Sequence, residues 1–300
     1  MALIYNATFD KNTRKLSFED RAGNEIYSFT VPERTPAVDD ITKPLTFKAT
    51  QDGSTVALDR PGYPSGDFQT SRDGGNTWED YTFSSYKGTD ITLNAGEEVS
   101  FRAKADRTEA QSRQHHLTFR MKGKIEAWHN VMSLYRTNDF ATYNTMVESA
   151  FNQLFADCTS LTKAPVLPAT TLATDCYEFM FSGCQSLTKA PELPATTLVF
   201  GCYSGMFRYC QSLTKAPELP ATTLESFCYY VMFEGCQSLK EVRISATTKA
   251  PNSRGELSGW LKGVSATGDF YCNPNATIFP SDESGIPSGW TRHNIADYPN

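Results

Sequence analysis

The feature that most constrains this chain is a stretch of 26 residues written nearly four times between about Phe151 and Ile244. Cys158, Cys184, Cys210 and Cys236 mark the register. Each is followed three residues on by Leu161, Leu187, Leu213 or Leu239, and preceded three residues back by Phe155, Phe181, Phe207 or Phe233. The segment CQSLTKAPELPATTL at 184–198 recurs letter for letter at 210–224. A fixed period in the twenties marks units that cannot bury their apolar face until a neighbour stacks on them, so a solenoid is expected.

Each repeat divides in two. Cys202, Met206, Phe207 and Cys210 lie at i, i+4, i+5 and i+8, which reads as the inner stripe of about two helical turns. Leu187, Ala190, Leu193 and Leu198 are interrupted by Pro191 and Pro194, which suits an extended strand followed by a bend. Stacking such units predicts a parallel ribbon on one side and short helices on the other. A second cysteine column, Cys176, Cys202 and Cys228, runs beside a tyrosine column, Tyr177, Tyr203 and Tyr229. The two cysteine columns and the phenylalanine column form the expected structural core. Buried thiols acting as small apolar groups fit this pattern. Disulfides within or between repeats are the alternative, and zinc would lack both a C-x-x-C pair and any histidine in the repeats.

Upstream, residues 1–31 alternate as a small β-meander, with turns at DKNT and RAGN. Residues 32–44, with three prolines, read as a linker. Residues 45–125 predict an all-β domain with strands near Leu45–Ala49, Thr55–Leu58, Asp67–Ser71, Trp78–Phe83, Asp90–Leu93, Val99–Ala103 and Leu117–Met121, of immunoglobulin-like sandwich proportions. Residues 126–150 form a less regular bridge that caps the first repeat, with Trp128, Val131, Met132 and Tyr135 at roughly helical spacing. Residues 151–244 carry the four repeats. Residues 245–300 predict a C-terminal cap with a short helix at Leu257–Lys262, a strand at Gly268–Cys272 and an end at Trp290.

Little chemistry is signalled. A net charge of −6 argues against a nucleic-acid partner, which would want a basic face. No apolar run approaches the ~18–20 residues of a spanning helix, so membrane insertion is not expected. The first residues show no basic segment followed by an apolar one, so no secretory signal is expected. Ser71-Arg-Asp73-Gly-Gly75-Asn-Thr77-Trp78 resembles the Asp-box of sialidases and other β-propellers, which would suggest a glycosidase. The motif occurs once, however, and is itself a hairpin device in which Asp73 bonds turn amides. Of the four histidines, adjacent His115 and His116 point to opposite strand faces, and His129 and His293 stand apart, so no metal site is expected. Arg102, Lys104, Arg107, Arg113, Arg120, Lys122 and Lys124 make a locally basic stretch that reads as a solvated β-face. No P-loop, G-x-G-x-x-G, H-E-x-x-H or G-x-S-x-G occurs, so neither a cofactor nor a catalytic residue is assigned.

The pattern C-x-S-L…P…L…C-Y-x-x-M-F-x-x-C-x-S-L resembles the BspA-like leucine-rich repeats of surface-associated proteins in gut and oral bacteria and their phages. SGWLKGVSATGDFYCNPNA and SGIPSGWT resemble the closing segment of such proteins, so the likeness covers about 150–295. It implies a leucine-rich-repeat-type β/α solenoid and a habit of surface display or adhesion. The resulting expectation is a non-enzymatic virion component: a head fibre, capsid decoration or tail-associated adhesin assembled in the host cytoplasm. It would be anchored to a capsid or tail protein through residues 1–44, with a host-surface glycan or protein as ligand. A bacterial cell-surface adhesin is the alternative, and homo-oligomers are compatible with either. Lys163, Lys189, Lys215, Glu192 and Glu218, with Tyr177, Tyr203 and Tyr229, are the candidate contact face; a merely solvated face is the competing reading.

Overall fold

The structure, a computed structural model, describes residues 6–10, 15–19, 22, 25–30, 39–59, 67–108, 116–282 and 284–298. Most of the expected linker, residues 60–66, Arg113 and His115 lie outside these. The chain divides into two units, Met1–Val38 and Asp39–Asn300. The first holds three antiparallel strands in sequential order, Asn6–Asp10, Lys15–Glu19 and Glu25–Thr30.

The second unit begins with two facing sheets. One pairs Ile91–Leu93, Ser54–Asp59 and Thr118–Lys122. The other runs, in order, Leu161–Lys163, Ile125–Trp128, Thr46–Ala49, Glu98–Ala103, Phe68–Ser71 and Glu79–Asp80. Side chains of a strand alternate between faces, and the inward set here includes Phe47, Val56, Leu58, Phe101 and Phe119, all buried. Phe47 of the larger sheet meets Phe119 of the smaller at 4.6 Å between ring centroids.

The sheets do not close off as a separate domain. Ile125–Trp128 pairs antiparallel with Thr46–Ala49 on one side and parallel with Leu161–Lys163 of the first repeat on the other. The segment expected to be an irregular bridge thus starts as a strand that joins the sheet to the repeats. It continues into a 3₁₀ turn, Val131–Leu134, whose N-cap Asn130 accepts the Met132 amide. One core runs from Leu45 to Trp290 without a break.

The expected leucine-rich-repeat-type β/α solenoid is not supported. Among the described residues the only helical segments are two 3₁₀ turns, Val131–Leu134 and Ile295–Asp297; the short helices expected in each repeat and at Leu257–Lys262 are absent. What stands in their place is a run of consecutive tight turns. Even-numbered amides bond three residues back (Glu178 to Asp175, Met180 to Tyr177, Ser182 to Phe179), while odd-numbered amides bond the next repeat (Tyr177 to Cys202, Phe179 to Ser204, Phe181 to Met206). Every fourth residue has positive φ: Asp175, Phe179 and Gly183, then Gly201, Gly205 and Tyr209, then Phe227, Val231 and Gly235. An α-helix has neither feature. The true period is four, with buried pairs at Cys176–Tyr177 and Met180–Phe181, and over two turns a period of four is hard to tell from 3.6. The ribbon is also incomplete: Thr188–Leu193 forms no strand.

Side chains stack in register across these turns. Phe119, Phe155, Phe181, Phe207 and Phe233 form one column at 5.3–5.7 Å spacing. Phe151, Tyr177, Tyr203 and Tyr229 form a second. Trp260 closes both, against Tyr229 and Phe233. Each first-column cysteine donates its S–H to the carbonyl of the preceding phenylalanine in the stacked column: Cys158 to Phe119, Cys184 to Phe155, Cys210 to Phe181 and Cys236 to Phe207, at 2.9–3.1 Å. All eight cysteines are free and buried, so the disulfide alternative does not hold. Gly205 shows how tightly repeats pack: a Cβ there would sit 2.1 Å from the Phe179 ring, which drapes over it. At the far end Glu241–Arg243, Gly268–Cys272 and Trp290–Asn294 form a parallel sheet.

Candidate recognition face

The turn side of each repeat is occupied with holding the stack together, and the charged residues of the candidate contact face lie on the other side, Thr-Lys-Ala-Pro-x-Leu-Pro. There the backbone is paired at both ends of the array. Val166 N–H reaches His129 O, and Val131 N–H reaches Val166 O. At the other end Lys240 N–H reaches Thr214 O, Ala216 N–H reaches Glu241 O, and Leu219 N–H reaches Arg243 O. Between these ends, Thr188–Leu193 makes no hydrogen bond to either neighbour among the described residues. Proline supplies the reason. A ladder forms where a proline-free segment (125–130 or 240–245) meets a proline-bearing one. Where Pro165 and Pro168, Pro191 and Pro194, and Pro217 and Pro220 would face one another, each partner lacks donors.

Two cavities open where the ladder fails. The larger, 780 Å³, lies between Thr188–Pro194 and Thr214–Pro220. The second, 510 Å³, lies between Lys163–Pro168 and Lys189–Pro194, with Asp39 and Ile41 at its edge. Proline, alanine and leucine make the walls, and lysine and glutamate the rims. Lys189 and Glu192 border both cavities.

The rim charges differ in what holds them. Lys163 is bound by Asp39, with Nζ 2.8 Å from each carboxylate oxygen, and lies 3.3 Å over the Trp128 ring. Burial lowers its pKa and outweighs the Asp39 pair. Lys215 is 2.8 Å from Glu241, which raises its pKa, and lies over the Tyr298 ring. Glu218 pairs with Arg243. Lys189 and Glu192 are exposed and enter no ion pair or hydrogen bond among the described residues. The five charged residues of the candidate contact face therefore gather on the cavity side, and only the middle pair is uncommitted.

The three tyrosines are not part of that face. Tyr177, Tyr203 and Tyr229 are each 1% exposed, stacked within the repeats, and burial drives their pKa well above 10. Their place beside the cysteines put them in the core, where no partner reaches them. Exposed rings occur instead at Phe200, Tyr209 and Tyr230, with Phe200 and Tyr230 flanking Phe227 at 5.4 and 5.8 Å. Sequence reasoning passed over these because they do not recur from repeat to repeat.

The Asp-box carboxylate is spent on its own hairpin. Asp73 accepts from Ser71 Oγ, Asn76 N, Thr77 N and Thr77 Oγ1 at 2.6–3.0 Å, bonds that lower its pKa, and Trp78 Nε1 donates to Gly75 O. Within the basic stretch Arg120 binds Asp59 and Asp90 and Lys104 binds Asp80, while Arg102 lies over Trp78 and donates to Gln69. His129 Nδ1 accepts the Asp40 amide, and His293 meets Asp269. No group of three or more His, Cys, Asp or Glu placed to hold a metal occurs among the described residues. Compared with models of known protein families, with curated proteins and with solved structures, the chain matches none.

Proposed function

We propose that this chain is a non-enzymatic recognition and display protein of a virion, in which the repeats form a rigid arm and the proline side of residues 163–220 meets a molecule of the host surface. The observation that carries this reading is the pair of adjoining cavities sharing Lys189 and Glu192, two exposed charges that the fold does not use. Pockets with apolar walls and a few convergent polar groups are where ligands bind. The virion setting rests on the resemblance of the repeats to displayed proteins of bacteria and their phages. In this reading residues 1–44 attach the chain to a capsid or tail protein.

The test uses the full chain and host cell envelopes. Wild-type protein should co-sediment with envelopes, and the double substitution Lys189→Ala with Glu192→Ala should reduce that binding by about tenfold or more while leaving the thermal midpoint unchanged. Equal binding by the variant would remove the assignment of this face. Deleting residues 1–44 should prevent incorporation into particles, and normal incorporation of the truncated chain would remove the anchor assignment.

A further inference from the structure

Phe200, Phe227 and Tyr230 make a contiguous aromatic patch on the turn side that the stack itself does not require. Two columns of the amide ladder show this. Asp175, Gly201 and Phe227 donate their amides to the carbonyls of Phe200, Ser226 and Arg254, while Phe179, Gly205 and Val231 donate to those of Ser204, Tyr230 and Ser258. The accepting residues thus run Phe, Ser, Arg in one column and Ser, Tyr, Ser in the other. A serine supports the same bonding as either ring, so neither ring is there for the ladder. Exposed apolar side chains scattered singly need no explanation, whereas contiguous ones mark a contact site.

The patch has a fixed shape. Phe227 forms its floor, at φ +56, with its ring draped over Gly255, where a Cβ would lie 2.5 Å from Cε1. Phe200 is tilted against this ring at 60° and Tyr230 stands across it at 84°. The two outer rings are 47% and 38% exposed. Arg254 is also exposed, with its guanidinium 5.9 Å from the Phe227 ring centre. Arg208 and Arg243 are bound to Glu234 and Glu218, but Arg254 enters no ion pair among the described residues. Of the carboxylates nearest in the chain, Glu256 is buried and held by Lys249 and Ser253, and Glu225 is half-buried.

We propose that Phe200, Phe227, Tyr230 and Arg254 form a binding site for a saccharide that bears a carboxylate. Extent sets the class of partner. Aromatic side chains present ~200 Å² each, so two rings exposed by less than half, with a share from Phe227, offer roughly 200 Å². A stable protein interface buries ~800 Å² on each partner, several times more. A sugar ring suits the smaller area, because its C–H face covers an aromatic face while its hydroxyls stay at the edge. Ser226 and Ser258, in the same two columns, supply hydroxyls there. The guanidinium decides between neutral and acidic sugars, since it offers a carboxylate two parallel N–H donors. This site lies on the side of the repeats away from Lys189 and Glu192 and stands independently of the function proposed for the proline side.

The experiment screens the full chain against an array of neutral and acidic glycans and measures affinity for the best acidic one by titration calorimetry. Phe200→Ser with Tyr230→Ser gives each position the residue that another copy carries there, so the thermal midpoint should not move, and affinity should fall about tenfold or more. Arg254→Ala should weaken binding of the acidic glycan about tenfold and leave binding of its carboxyl-reduced form unchanged. Absence of glycan binding, equal binding by the Phe200→Ser, Tyr230→Ser variant, or equal loss of both glycan forms with Arg254→Ala overturns the inference. The variant Lys189→Ala with Glu192→Ala separates the two sides. It should bind the glycan as wild type does. Glycan binding lost in that variant and kept in the serine variant overturns the aromatic site and leaves the proline side standing. Retention of an envelope protein through the patch, with no glycan bound, overturns the saccharide.

Discussion

Along the turn side of the repeats every second amide is bonded to the next repeat, whereas along Thr188–Leu193, on the other side of the same repeat, none is. The two sides share one chain and nearly identical copies, so the contrast comes from local chemistry. The turn side alternates positive-φ residues with buried pairs, and each turn leaves an amide pointing along the stack. The proline side lacks donors at two positions per copy and pairs only against a segment that has them all. Main-chain bonding between copies is therefore concentrated on the turn side and absent along Thr188–Leu193 on the other.

Four sets of measurements test that contrast, and the largest effect is expected in the aromatic column. Phe207→Ala removes a ring stacked on both Phe181 and Phe233 and should cost ~3–5 kcal/mol in denaturant unfolding. A loss below ~1 kcal/mol would mean that the column does not carry the stack. Gly205→Ala should follow. It places a side chain at φ +58, which costs about 1–2 kcal/mol, and pushes a methyl into the Phe179 ring. Adding Phe179→Ala should recover the clash and leave the backbone strain, and no recovery would show that the two residues are not in contact.

The alkaline titration comes next. Burial raises the Cys176 and Cys236 thiols from the ordinary 9.0 to about 12. The folded chain then keeps these protons to a higher pH than the unfolded chain. The stability they contribute is whole below about pH 9 and is lost as the pH climbs toward 12. Denaturant midpoints measured from pH 8 to 11 should fall above pH 9; a flat profile would contradict the burial of the columns. The smallest effect belongs to the open side. Lys189→Ala and Glu192→Ala should each change stability by less than ~0.5 kcal/mol, as expected of surface groups with no partner. A loss above ~1 kcal/mol from either would show that the proline side is structural after all.

The sequence displayed some of this plainly and concealed the rest for definable reasons. The cysteine and phenylalanine columns could be read from spacing because stacking requires identity at one position in each copy. Strands such as Phe68–Ser71 and Gly268–Cys272 lie where alternation places them, since each buries one face. The turn coil was misread as helix because Cys202, Met206, Phe207 and Cys210 fit a period of 3.6 almost as well as one of four. The discriminating signal was present in Gly201 and Gly205, and again in Gly255, Gly259 and Gly263: glycine every fourth residue disfavours a helix and suits recurrent positive φ. The tyrosines looked like a surface column because repetition alone does not say which way a ring points. The open ladder was hardest to see. Its prolines are visible in every copy, but the gap depends on which segments lie beside one another, and that follows only once 125–130 and 240–245 are known to close the ends.

Amide hydrogen exchange of the full chain, resolved to single residues, tests the contrast most directly. The amides of Tyr177, Phe179, Phe181, Tyr203 and Phe207, bonded across repeats, should be among the slowest in the molecule. Those of Lys189, Ala190, Glu192 and Leu193 should exchange close to the rate of an unstructured peptide, buried though Ala190 and Leu193 are. Comparable protection on both sides would mean that the ribbon is paired throughout.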